Sequence, residues 1–190
     1  MRVTVIGGGS WGTAFAVVLR DHGHEVTLAC RDPEQVSAIV ATGRNPRYVS
    51  HADLRGIAAS TVSAAPVAEA NLAVVAVPSA AYGATVAALP GTCPILSLTK
   101  GLDPATGNRL STLVTNRPVT VLSGPNIAEE ISRGLPAAVP HLRERPEPRH
   151  EGLRLLGRER VAQAVLARGR AGVDRLRQER VGERHASPDS

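Results

Sequence analysis

Aromatic side chains are nearly missing: Trp11, Phe15, Tyr48 and Tyr82 are the only four in 190 residues. The core must then be built from Ala, Val, Leu and Ile, and an aromatic platform for stacking nucleic-acid bases is disfavoured. Cysteine is equally scarce. Cys30 and Cys93 alone make neither a disulfide framework nor a four-thiolate zinc site, and a reducing cytoplasm is the expected compartment. The six histidines are scattered, with none at metal-ligand spacing from a cysteine or an acid, so no metal site is expected. No run of about 18 apolar residues escapes a charge, glycine or polar break, which argues against a membrane span. Lysine occurs once, as Lys100.

Charge is present but unevenly placed. Residues 1–139 carry ten basic and nine acidic side chains, whereas residues 140–190 carry twelve arginines and eight acids. Nearly all of the net charge of +5 therefore belongs to the last 51 positions. Arginines there could neutralise phosphates of a nucleic acid, but the interspersed acids weaken the field and favour a merely solvated segment.

The hydrophobic pattern is an alternation of strands and helices. Val3–Ile6 is a short β-branched run ending at Gly7, and Ser10–Leu19 carries Trp11, Ala14, Phe15, Val18 and Leu19 at helical spacing. Gly23 stops that helix and Glu25–Ala29 supplies a second strand. The pattern then predicts a helix from Asp32-Pro33 to about Ala41, a strand at Leu72–Val77 and a helix at Ala80–Leu89. Beyond these come a strand at Ile95–Leu98, a helix at Ala105–Val114, a strand at Val119–Leu122 and a helix at Asn126–Ser132. Such alternation demands right-handed crossovers, hence an α/β, Rossmann-like, mostly parallel sheet with helices on both faces. A secretory-signal reading of the apolar N-terminus fails on Gly7-Gly8-Gly9-Ser10, which suits a turn.

The pattern defines two regions, a Rossmann-like α/β domain over 1–139 and an Arg-rich linker and tail over 140–190. His141–His150 is charged and punctuated by proline, and reads as a linker. The ragged apolar stripe and repeated glycines of 151–184 leave weak helix and disorder both open.

Gly7-Gly8-Gly9-Ser10-Trp11-Gly12 fits G-x-G-x-x-G and stands directly between a strand and a helix. There the first glycine serves a sharp turn, the second lets a diphosphate approach the backbone, and the third lets helix and strand pack closely. Helix-start amides then face the phosphates. At the end of the second strand stand Cys30, Arg31 and Asp32. Arg31 suits adenine stacking or a 2'-phosphate. Asp32 suits a 2'-hydroxyl or the capping of the next helix, so NAD and NADP both remain open.

The chain also resembles the soluble NAD(P)-dependent glycerol-3-phosphate dehydrogenases in their N-terminal domain. Five stretches carry the resemblance, in family order: Val5–Ala14, Arg44-Asn-Pro-Arg-Tyr48, Ala73–Ser79, Ser97-Leu-Thr-Lys-Gly-Leu102 and Leu122-Ser-Gly-Pro-Asn-Ile-Ala-Glu-Glu130. The resemblance implies hydride transfer between NAD(P) and a phosphorylated triose, interconverting sn-glycerol 3-phosphate and dihydroxyacetone phosphate. It implies that Ser10 and Trp11 line the cofactor phosphates, that Arg31 lies near the adenosine and Tyr48 near the cofactor, and that Ala128 meets the nicotinamide half. Gly124 and Asn126 resemble substrate contacts. Lys100 matches the lysine where cofactor and substrate meet, and an ammonium there would stabilise charge on the C2 oxygen. Simpler readings stand beside these: a solvated Lys-Gly turn, a partly buried Tyr48, and Asn126 as a helix cap.

The chain departs from the family in two ways. The family's second, helical domain supplies another lysine for proton transfer, and here Lys100 is alone. After Val77-Pro-Ser79 this chain has Tyr82-Gly83 where the family usually has an arginine. Turnover by this chain is therefore in doubt, and a non-catalytic NAD(P)-binding module is the alternative. The abrupt change after Val139 to arginine-only basic content is what an out-of-frame continuation of a coding sequence would give. Oligomeric state, a homo-oligomer included, is left open.

Overall fold

The computed structural model describes residues 1–122 and the strand residues 141–142. In chain order the elements are β1 (Arg2–Ile6), α1 (Ser10–Asp21), β2 (Glu25–Cys30), α2 (Pro33–Thr42), β3 (Ala58–Thr61), β4 (Leu72–Val75), α3 (Ser79–Ala88), β5 (Ile95–Ser97), β6 (Val119–Leu122) and β7 (His141–Leu142). Single 3-10 turns lie at Val62–Ala64 and Leu110–Leu113. The strands form one sheet in the order β3-β2-β1-β4-β5-β6-β7. The first six run parallel, and β7 pairs antiparallel with β6.

Alternation along each strand splits the core between two faces. Val5, Leu28, Val74 and Leu96 point into one cluster with Phe15, Leu19 and Ile39 from α1 and α2. Ile6, Ala29, Val75 and Ile95 point into the other, with Tyr82 and Val86 of α3. Each face has one fully buried aromatic, Phe15 or Tyr82, which spends half of the scarce aromatic supply on anchoring helices. The winding reverses between β1 and β4, the switch point at whose carboxyl ends α/β sheets bind ligands. No helix among the described residues is long and apolar enough to cross a membrane.

The helix boundaries follow sequence punctuation. Asp32 caps α2 by accepting from the Glu34 amide at 2.9 Å, Pro33 opens it, and Gly43 closes it in the left-handed conformation.

The expected helix at 105–114 is not there. Asp103 instead organises a turn, accepting from Thr106 Oγ1 at 2.6 Å and, through its carbonyl, from Gly107 N at 2.8 Å. Only the 3-10 turn at Leu110–Leu113 follows. The side-chain oxygens of Asp103 and Thr106 thus compete with the helical ladder and win. β3 is an element the pattern did not announce, and β7 falls where the composition suggests a linker. The expected helix at 126–132 and the tail at 151–184 lie outside the described residues.

Arg117 joins the segment before β6 to the end of α3. It is 8% exposed, and its guanidinium donates to the carbonyls of Leu89 (2.9 Å), Pro90 (3.4 Å) and Gly91 (2.5 Å). Arg117→Ala should lower unfolding free energy by about 2–3 kcal/mol, the scale of charge-assisted hydrogen bonds whose acceptors are left buried. Urea unfolding checks this, with Arg117→Lys expected to rescue little because it lacks the fork.

Candidate functional site

The glycine turn opens where β1 stops. Ile6 is in register with Ala29 of β2 and Val75 of β4, so Gly7 emerges between the carboxyl ends of both neighbours. Gly7 has φ +115°, a region L side chains rarely adopt, and its amide donates to Ala29 O at 2.9 Å. A Cβ on Gly7 would strike the Ala76 carbonyl, and one on Gly12 would strike the Gly7 carbonyl. A Cβ on Gly8 would meet Cys30 Sγ, so the middle glycine is also required here, although the fingerprint leaves it free. Gly9 differs from all three, because a Cβ there would meet nothing within 4 Å.

Gly9 is the N-cap of α1, its carbonyl accepting from Thr13 N at 2.9 Å. No side chain caps this helix start and no acidic residue lies in its first turn. Its leading amides and its partial positive charge therefore face an open side of backbone, which suits a dinucleotide's diphosphate.

A cation stands beside this turn. Lys100 Nζ lies 5.2 Å from the centroid of the Trp11 ring. The loop carrying it is fixed by the preceding residue: Thr99 Oγ1 donates to Val77 O at 2.9 Å, and Leu98 N donates to Val75 O at 2.8 Å. Gly101, at φ +95°, turns the chain immediately after the lysine. The loops following β4 and β5 are thereby tied together, with Lys100 exposed at the carboxyl edge of the sheet.

This turn, this helix start and this lysine coincide with a match to one family profile, the NAD-dependent glycerol-3-phosphate dehydrogenase N-terminus, over residues 2–145. The chain belongs to the glycerol-3-phosphate dehydrogenase family. It is 40% identical over 147 residues to the glycerol-3-phosphate dehydrogenase [NAD(P)+] of Mesorhizobium japonicum, covering 73% of this chain and 43% of that one. The Nocardia farcinica enzyme of the same name is 40% identical over 155 residues, covering 72% and 45%. The crystal structure of glycerol-3-phosphate dehydrogenase from Coxiella burnetii superposes with a TM-score of 0.65 at 29% identity, over 73% of this chain and 45% of that chain. The chain thus spans less than half the length of these family members.

Of the residues that resemblance to the dehydrogenase family singles out, the structure brings Gly7, Gly9, Ser10, Trp11, Gly12 and Lys100 together. Arg31 is exposed just past β2, and Tyr48 is 43% exposed on the loop after α2. Gly124, Asn126 and Ala128 lie outside the described residues.

Asp32, left open in the sequence between cap and ribose ligand, caps α2 through Oδ1 and meets Arg47 Nη2 at 2.6 Å through Oδ2. The Glu34 amide first, and Arg47 second, hold its carboxyl below the usual range. Beneath it, burial and the Asp32 charge push the Cys30 thiol up to about 11, so Cys30 stays a neutral packing group. Because the folded value of Asp32 is depressed, its contribution to stability is present above the ordinary carboxylate range and is lost as pH falls through the lowered value. Arg47→Ala should raise the Asp32 midpoint part-way, the Glu34 cap keeping the rest of the shift. A carboxyl-detected NMR titration reads this directly.

Sequence reasoning missed three buried polar residues under the turn: Thr13, Gln35 and Asn45, of which Thr13 and Asn45 have no exposed surface. Asn45 lies inside the Arg44–Tyr48 stretch that carries part of the family resemblance. A polar residue before Pro46, fixed between two arginines, was the available signal.

Proposed function

We propose that the chain binds NAD(P)(H), with the diphosphate on the amides that open α1, and serves the interconversion of sn-glycerol 3-phosphate and dihydroxyacetone phosphate. The observation that carries this reading is the Lys100 ammonium standing over Trp11 at the mouth of the glycine turn. A cation there can grip the oxygen or phosphate of a small substrate beside the cofactor and stabilise negative charge that develops at the C2 oxygen. The bound nicotinamide supplies the hydride acceptor or donor. Ser10 and Trp11 line the phosphates, Gly9 leaves room for them, Arg31 lies on the adenosine side and Tyr48 lies near the cofactor. Both cysteines are free thiols, in keeping with a reducing cytoplasm.

Binding without turnover is the second reading. Alcohol and ketone interconvert only if a proton moves with the hydride, and Lys100, the single lysine of the sequence, is already assigned to the C2 oxygen.

Trp11 is the chain's single tryptophan and makes the test direct. Titration with NADH should quench its emission saturably, by energy transfer to the nicotinamide. A hundredfold excess of NADH over its Kd should stabilise the chain by about 2.7 kcal/mol. No quenching and no stabilisation at millimolar NADH and NADPH would remove the proposal. Quenching without oxidation of NADH by dihydroxyacetone phosphate would select the second reading.

A further inference from the structure

The Gly8 carbonyl is held from beneath by two side-chain amides. Gln35 Nε2 donates to it at 2.7 Å and Asn45 Nδ2 at 2.9 Å, using both of its lone pairs. The second N–H of each amide is also used. Asn45 Nδ2 donates again to Thr13 Oγ1 at 2.8 Å, and Gln35 Nε2 donates to Asn45 Oδ1 at 3.1 Å. The same Asn45 oxygen accepts from Arg47 N at 3.1 Å and Tyr48 N at 3.2 Å. Gln35 is 6% exposed and Asn45 0%, so water offers these groups no ready substitute.

A peptide unit is planar, and in the trans form its C=O and the following N–H point in opposite directions. The described residues contain no cis peptide bond. Two donors pulling the Gly8 carbonyl inward therefore turn the Gly9 N–H outward, toward the side where a Cβ on Gly9 would meet nothing. We infer that Gln35 and Asn45 are positioning residues for the cofactor site: they set the Gly8-Gly9 peptide so that the Gly9 amide is aimed at the diphosphate before any ligand arrives. Through Oδ1, Asn45 couples this peptide to the backbone of Arg47 and Tyr48, so the loop carrying Tyr48 is built on the same amide group. Preorganised donors of this kind cost no reorganisation when the anion binds.

The inference rests on the dinucleotide reading above, and the test separates the two. The full chain, labelled with nitrogen-15, is titrated with NADH and NADPH as wild type, Gln35→Met and Asn45→Ala. Gln35→Met keeps the side-chain length and replaces the carboxamide by apolar atoms, so both donors are lost, and it remains informative should Asn45→Ala fail to fold. In the wild type the Gly9 amide resonance should move strongly on saturation, together with that of Arg31. In Gln35→Met the Kd should rise about tenfold or more, the loss expected when one hydrogen bond to a preorganised group goes. At saturation the Gly9 shift should shrink while the Arg31 shift persists, a split that general loss of stability would not produce. Unchanged affinity and an unchanged Gly9 shift in the variant would overturn the inference, as would a uniform loss of both shifts in proportion to stability. No binding by the wild type would instead overturn the dinucleotide reading itself.

Discussion

Gly12→Ala is expected to abolish nucleotide binding and to cost about 3 kcal/mol or more of stability, among the largest effects of a single methyl group anywhere in the described residues. A Cβ at this position meets the carbonyl oxygen of Gly7, which is backbone and has nowhere to withdraw. Gly7 is itself bonded through its amide to Ala29 O and lies against the Ala76 carbonyl, so a shift there would have to move the ends of β2 and β4 together. Thermal and urea unfolding should show the loss, and the Trp11 titration should show NADH affinity reduced beyond measurement. Gly9→Ala is the contrasting variant. Its stability should change little, because the added methyl meets nothing, while its affinity should fall because the methyl stands where the diphosphate approaches. Equal behaviour of the two variants would contradict the assignment of the open side to the ligand.

Lys100→Met is expected to leave NADH affinity within a few fold and to reduce dihydroxyacetone-phosphate-dependent oxidation of NADH by about 10²–10³, the range for removing one donor at a developing oxyanion. The small binding effect follows because Lys100 is exposed, and a cation over an aromatic ring at a solvent-facing site is worth about 0.5–1 kcal/mol. Should wild-type turnover stand at background, the substrate step can still be read. Dihydroxyacetone phosphate added to the NADH-loaded chain should perturb Trp11 emission in the wild type and not in Lys100→Met. Lys100→Arg should keep the perturbation in part, since it retains charge but not the compact ammonium. Indistinguishable wild type and Lys100→Met in both measurements would dismiss Lys100 from the site.

The parts of the fold that the sequence announced are those where local pattern and tertiary packing agree. β1, the glycine turn, α1 and β2 combine a β-branched run, obligatory glycines and helical spacing in 29 consecutive residues, and each appears where expected. β3 went unannounced because Ala58-Ala-Ser-Thr61 is a half-buried edge strand, held by backbone pairing to β2 rather than by apolar side chains. The helix expected over 105–114 rested on periodicity alone and gave way to the Asp103 turn.

The site divides in the same manner. Glycines and Lys100 were legible because their chemistry is visible residue by residue. The supports beneath them were not. Gln35 and Asn45 sit in polar-looking segments, and only the folded chain shows that both are buried against one carbonyl.

The rarity of lysine has a practical corollary. With Lys100 as the sole ε-amine, a lysine-specific protease has one peptide bond to cut, between Lys100 and Gly101, in the exposed loop between β5 and the Asp103 turn. Cleavage there would divide the sheet between β5 and β6, and a nucleotide lodged against Trp11 would shield the scissile bond. Digestion rate thus becomes a footprint of occupancy, read from two fragments on a gel.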